Sequence, residues 1–95
     1  MRYTVRISRQ ASRDLTEIFR YIENREQSAP RAEKLIQDLL DDAMGSAQFP
    51  YRGHVIKRRP KARRLVHGNY LIIFEIREAN KHVEILRFLH GAQMR

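Results

Sequence analysis

Ninety-five residues make about one ordinary domain, with no room for a second core, so residues 1–95 are expected to form a single unit. With 42% hydrophobic residues the chain can build a modest core, and the lack of cysteine excludes a disulfide framework and a thiolate metal site. No apolar run approaches the roughly 20 residues of a membrane helix, and the opening MRYTVRIS alternates polar with apolar instead of forming a signal peptide, which points to a cytoplasmic protein away from membranes.

The net charge of +8 is unevenly placed. Residues 1–50 carry eight basic and eight acidic side chains, whereas residues 51–95 carry eleven basic residues against Glu75, Glu78 and Glu84. Between Tyr51 and Arg64 lie seven cations, Arg52, Lys57, Arg58, Arg59, Lys61, Arg63 and Arg64, and no acid. Such a density attracts polyanions by counterion release. It also suits an acidic protein partner, or a loop that is merely solvated.

Tyr3, Val5 and Ile7 alternate with Thr4, Arg6 and Ser8, the period-2 pattern of a half-buried strand. From residue 9 the period lengthens. Ala11, Leu15, Ile18, Phe19 and Ile22 form one helical stripe, with Ser8 as N-cap and Arg13, Asp14, Glu17 and Arg20 outside the stripe, which predicts a helix near residues 9–25. Ser28 and Pro30 signal a second helix near residues 29–45, with the stripe Ala32, Leu35, Ile36, Leu39, Leu40 and Ala43 and a stop at Gly45. The short polar link makes the two an antiparallel hairpin.

Phe49, Pro50 and Gly53 then punctuate a loop, and Pro60 forbids a central strand where it stands. Arg64, Leu65 and Val66 read as a strand leading into the turn His67, Gly68, Asn69. Tyr70–Arg77 is apolar on both faces, as a central strand requires. After Ala79 and Asn80, residues 82–89 form a third strand, with Val83, Ile85, Arg87 and Leu89 opposed to Glu84, Leu86, Phe88 and His90. The order β-α-α-β-β-β implies an α+β fold: an N-terminal strand, then an antiparallel helical hairpin packed on a mainly antiparallel four-stranded sheet.

Taken together, Ser8, Ala11, Asp14-Leu15, Ile18 and Tyr21-Ile22, then Pro50 with Gly53, Arg58-Arg59-Pro60, Arg63-Arg64-Leu65, Gly68-Asn69-Tyr70-Leu71-Ile72 and Ile85-Leu86-Arg87-Phe88-Leu89-His90-Gly91, resemble the ParE/RelE toxins, and the closing run is similar to the ParE ending. The chain departs from that pattern at Glu75, where a basic residue is common, and at Gln93 and Met94, where an arginine is common. The resemblance implies a growth-inhibiting toxin of a type II toxin–antitoxin pair, neutralised by a ParD-like, DNA-binding antitoxin in a hetero-oligomer. ParE toxins poison DNA gyrase, and their RelE relatives cleave messenger RNA on the ribosome. A degenerate member would only bind its antitoxin.

No cofactor is expected, and no metal: His54, His67, His82 and His90 lack helical i, i+4 pairing and read mostly as surface residues. Gly68 has no GxxxxGK[ST] context and reads as a hairpin turn. A gyrase poison needs no catalytic residue of its own. Metal-free RNA cleavage needs a base, cations around the phosphorane and an acid, for which Arg64 and Arg87 supply charge and His90 or His54 the proton transfer. Strict alternation puts Arg87 and His90 on opposite sheet faces, so they can share a site only through a bulge or the strand's end, and Arg87 also suits an ion pair with a helix acid or Glu75. Target contacts are expected from Arg58, Arg59, Arg63, Arg64, Arg87 and His90, and antitoxin contacts from Tyr21 and Leu71.

Overall fold

The computed structural model describes residues 2–91, so Gln93, Met94 and Arg95 lie outside the described residues. Strand β1 (Thr4–Ile7) leads into helices α1 (Arg9–Glu26) and α2 (Ala29–Met44), followed by strands β2 (His54–Ile56), β3 (Arg59–His67), β4 (Tyr70–Arg77) and β5 (His82–His90). Both helices start as the sequence dictates. Ser8 Oγ accepts from the Ala11 amide at 3.0 Å and Ser28 Oγ from the Arg31 amide at 3.3 Å, which satisfies donors that have no partner within the helix. Gln27 closes α1 in the left-handed conformation. Gly45 is not a left-handed stop, because α2 tightens there into one 3₁₀ turn, Gly45–Ala47.

The sheet has five strands in the order β1-β5-β4-β3-β2, one more than the four expected. The additional strand is β2, whose three residues are too few to show a period, and β3 reaches back through Pro60 to Arg59. Proline is tolerated because its position falls between the pairs Ile56 with Arg59 and Val55 with Arg63, beside an irregularity in the β2 ladder, and before β4 begins to pair at Ala62. Gly53, at φ +83°, lets the chain enter β2, and a Cβ there would lie 2.5 Å from the Arg64 carbonyl oxygen.

Strand β4 is central, as its two apolar faces require. Its Tyr70, Ile72, Phe74 and Ile76 join Val83, Ile85 and Phe88 of β5 and Ala11, Leu39 and Ala43 of the helices in one core. Of the expected helical core residues, Leu39 is fully buried, and Leu15, Ile18 and Leu35 pack against the core partly buried. Phe19, Ile22, Ile36 and Leu40 are only half-buried. The fully buried alanines Ala11, Ala32 and Ala43 let the backbones approach where larger side chains would hold them apart. No described helix is long and apolar enough to cross a membrane.

A β-bulge decides the fate of β5. Ile73 of β4 pairs with Arg87 while the next residue, Phe74, pairs with Ile85, so Leu86 is an extra residue. Core-facing side chains therefore run Val83, Ile85, then Phe88, and the strict alternation expected across 82–89 fails at that step. His82, expected at the surface, is buried, with Nε2 lying 3.0 Å from Oε1 of Glu84.

Candidate functional site

Strand β1 runs parallel to β5 and its pairing ends at Ile7 with Ile85, which leaves the outer edge of β5 beyond Ile85 without a strand. Helix α1 takes over that edge through its side chains. Ser8 Oγ donates to the Leu86 carbonyl at 3.1 Å, and Asp14 Oδ2 accepts from the Phe88 amide at 3.0 Å. The same carboxylate holds Arg87 in a two-point pair, with Nε 2.8 Å from Oδ2 and Nη2 3.1 Å from Oδ1, and Gln10 Nε2 donates to Oδ1 at 3.1 Å. Asp14 was expected outside the helical stripe, yet it is 5% exposed. A buried carboxylate needs such donors, because an unpaired charge away from water is very costly. Burial pushes its pKa up, but the bonds from Arg87, the Phe88 amide and Gln10 together with the Arg87 charge outweigh that and hold it below the ordinary carboxylate value. The bond to Asp14 in turn raises the pKa of Arg87.

Beside this pair a cleft of about 360 Å³ opens between α1 and the ends of β4 and β5, lined by Glu17, Tyr21, Tyr70, Arg87, Phe88 and His90 among others. Arg87 and His90 both line this cavity at the end of β5 although the ladder between them is regular and the bulge at Leu86 precedes both, because Arg87 reaches over to Asp14 on α1. His90 meets Tyr70 edge-on, with ring centroids 5.4 Å apart, and the two are register partners. Burial pushes the Tyr70 phenol above its usual pKa, with the neighbouring Tyr21 adding to the rise and Arg25 opposing it. Tyr21 is 56% exposed and stands at the mouth as an open apolar surface. Leu71 is covered by its own fold at 9% exposure, contrary to the open position expected of it, and its register partner Val66 is the exposed member of that row.

The arginine-rich segment is a hairpin, β2 and β3, at the other edge of the sheet. Arg58 stands at the turn, Arg59 Nε donates to Glu75 at 3.2 Å, and Arg63 Nη1 donates to the Gly53 carbonyl at 3.2 Å. Glu75, a departure from the family pattern, also accepts from Arg77 at 3.4 Å. Arg64 is exposed and pairs in register with His54. Arg64, Ile73 and Arg87 occupy one cross-strand row, which puts the backbones of the two arginines two strand spacings, roughly 10 Å, apart. The four side chains suited to RNA cleavage are thus divided, with Arg87 and His90 lining the α1 cleft and Arg64 and His54 together on the hairpin. Among the described residues no three His, Cys, Asp or Glu side chains gather as a metal-binding group.

The family model described as the ParE toxin of the parDE type II toxin–antitoxin system matches residues 5–95. The chain belongs to the ParE toxin family. As a member it is a toxin of a type II toxin–antitoxin system. Its fold is similar to a chain of the chromosomal ParDE system from P. aeruginosa, with a TM-score of 0.79 and 21% identity over 93% of this chain and 95% of that one. It is also similar to a chain of the RelBE2 toxin–antitoxin complex from Mycobacterium tuberculosis, with a TM-score of 0.70 and 26% identity over 95% of this chain and 99% of that one. No curated protein matches. Ser8, Ala11 and Asp14, among the residues that carry the ParE resemblance, are those that seat the start of α1 against β5, so that part of the motif has a structural meaning.

Proposed function

We propose that this ParE-family chain arrests growth in the cytoplasm by poisoning DNA gyrase and is neutralised by a ParD-like antitoxin. The observation that carries the choice of target is the commitment of Arg87. Its guanidinium is held by two bonds to Asp14, and the carboxylate beside it would repel the phosphate whose charge a ribonuclease must stabilise. The exposed cations of the β2–β3 hairpin, Arg58, Arg59 and Arg64 with the half-buried Arg63, supply the target contacts. The antitoxin lies over Tyr21 and over the row holding Leu71 through its exposed neighbour Val66, in keeping with the antitoxin complexes to which the two similar chains belong.

One feature favours a RelE-type ribonuclease as a second reading. Tyr21 and Tyr70, distant in sequence, share the α1 cleft with Arg87 and His90, so proton-transfer groups and a cation do stand together. Purified gyrase, supercoiled DNA and the toxin separate the readings. Trapped cleaved DNA and lost supercoiling support the gyrase target, codon-phased messenger RNA cuts after induction with gyrase unaffected support the ribonuclease, and unhindered growth leaves a chain that only binds its antitoxin.

A further inference from the structure

Away from the α1 cleft, a groove of about 600 Å³ lies between the β2–β3 hairpin and the far end of β4, with Tyr51, Val55, Lys61, Arg63, Ile76 and Arg77 in its walls. We propose that this groove binds single-stranded nucleic acid, with Tyr51 as the platform on which a base stacks and the hairpin cations along the backbone. The proposal rests on the hairpin being a binding surface, and not on which enzyme the toxin stops.

Charge comes first. The two acids in the groove are already compensated: Glu75 accepts from Arg59 and Arg77, and Glu78 from Tyr3 and Lys81. Lys61 and Arg63 in the wall and Lys57 and Arg58 at the hairpin turn make no ion pair with a carboxylate among the described residues. An uncompensated cluster of cations fits a chain of phosphates.

The aromatic ring narrows the choice of polyanion. The Arg63 guanidinium sits 5.5 Å from the centre of the Tyr51 ring, yet Tyr51 remains 54% exposed, and the exposed Val55 stands in the same wall. Val55 is the register partner of Arg63, so aromatic, aliphatic and cationic groups converge on one patch. An unpaired base covers such a ring with its flat face while its phosphates meet the cations. A duplex keeps those faces stacked inside, and an acidic peptide answers the charge while leaving the ring unused.

The test is fluorescence anisotropy with the toxin alone and labelled 12-nucleotide oligothymidylate or oligouridylate at 50 and 200 mM salt, against a duplex of equal length and polyglutamate. Either single strand should bind more tightly than the two competitors, and three or four phosphate contacts give a slope of log K on log salt of about −2 to −3. Tyr51→Ala should weaken binding about tenfold, with Tyr51→Phe restoring it. Lys61→Glu combined with Arg63→Glu should abolish it while circular dichroism shows the fold retained. Unchanged affinity in Tyr51→Ala, or duplex or polyglutamate binding as tightly as the single strands, overturns the proposal. Oligonucleotide binding without any effect on gyrase overturns only the gyrase target.

Discussion

The Phe88 amide donates to Oδ2 of Asp14 over 3.0 Å, so a helix side chain supplies the hydrogen bond that an adjacent strand would otherwise give to β5. The carboxylate also anchors Arg87 and thereby sets one wall of the α1 cleft. One residue serves the fold and the site together.

Removing that carboxylate leaves the Phe88 amide and the Arg87 guanidinium without their acceptor. Arg87 is 43% exposed and regains water, which limits the loss. Asp14→Ala should therefore lower the unfolding free energy by about 2 kcal/mol in urea melts, the scale of a lost hydrogen bond to a charged group. An unmoved urea midpoint would show that α1 is held by its apolar contacts alone.

The same residue sets an acid limb. Its folded pKa lies below the ordinary value of 3.8, so its contribution is fully present above about pH 4 and is lost as pH falls through the folded value. Stability should therefore rise as the pH climbs from below the folded value to about 4, and Asp14→Asn should flatten that rise. Melts of both proteins across this range decide it, and parallel curves would assign the acid limb to other carboxylates.

Leu39 is fully buried within the core shared by α2 and the sheet. Leu39→Ala should cost about 2 to 5 kcal/mol, transfer and cavity combined. Ile36→Ala, at a half-buried position lining the outer groove with Leu15 and Phe19, should cost clearly less. Equal losses in the two urea melts would contradict that ranking.

Reversing Arg58 and Arg64 to Glu on the exposed hairpin should abolish growth arrest while the thermal midpoint stays within a few degrees, because neither makes an ion pair among the described residues. Surface substitutions of this kind usually change stability little. A folded double variant that still stops growth at the wild-type dose would make the hairpin a solvated loop.

Period and capping made the helices legible to within a residue at each end, because Ser8 and Ser28 mark their starts and the apolar spacing marks their inner faces. Asp14 was misplaced because of its charge. Its position, three residues after Ala11 and four before Ile18, falls on the buried stripe, and that spacing was the available signal. Arg87 was ambiguous for a related reason: the buried residues Ile85 and Phe88 are three apart, which only a bulge reconciles with a strand. Strand β2 had no signal of comparable strength, since three residues at a sheet edge need neither alternation nor a buried face.

Strand β1 lies beside β5, so the chain's opening strand waits for the last described strand before it has a partner. During synthesis α1, α2 and β1 emerge first, with Leu39 and Ala43 having no sheet on which to close. Translation at about 5–20 residues per second needs roughly 2 to 9 s to run from the end of α2 to the end of β5. Such long-range pairing also slows folding once the chain is complete. A chain that ends before His82 therefore lacks the strand on which both β1 and β4 pair, and the toxin's surface exists only once β5 has been made.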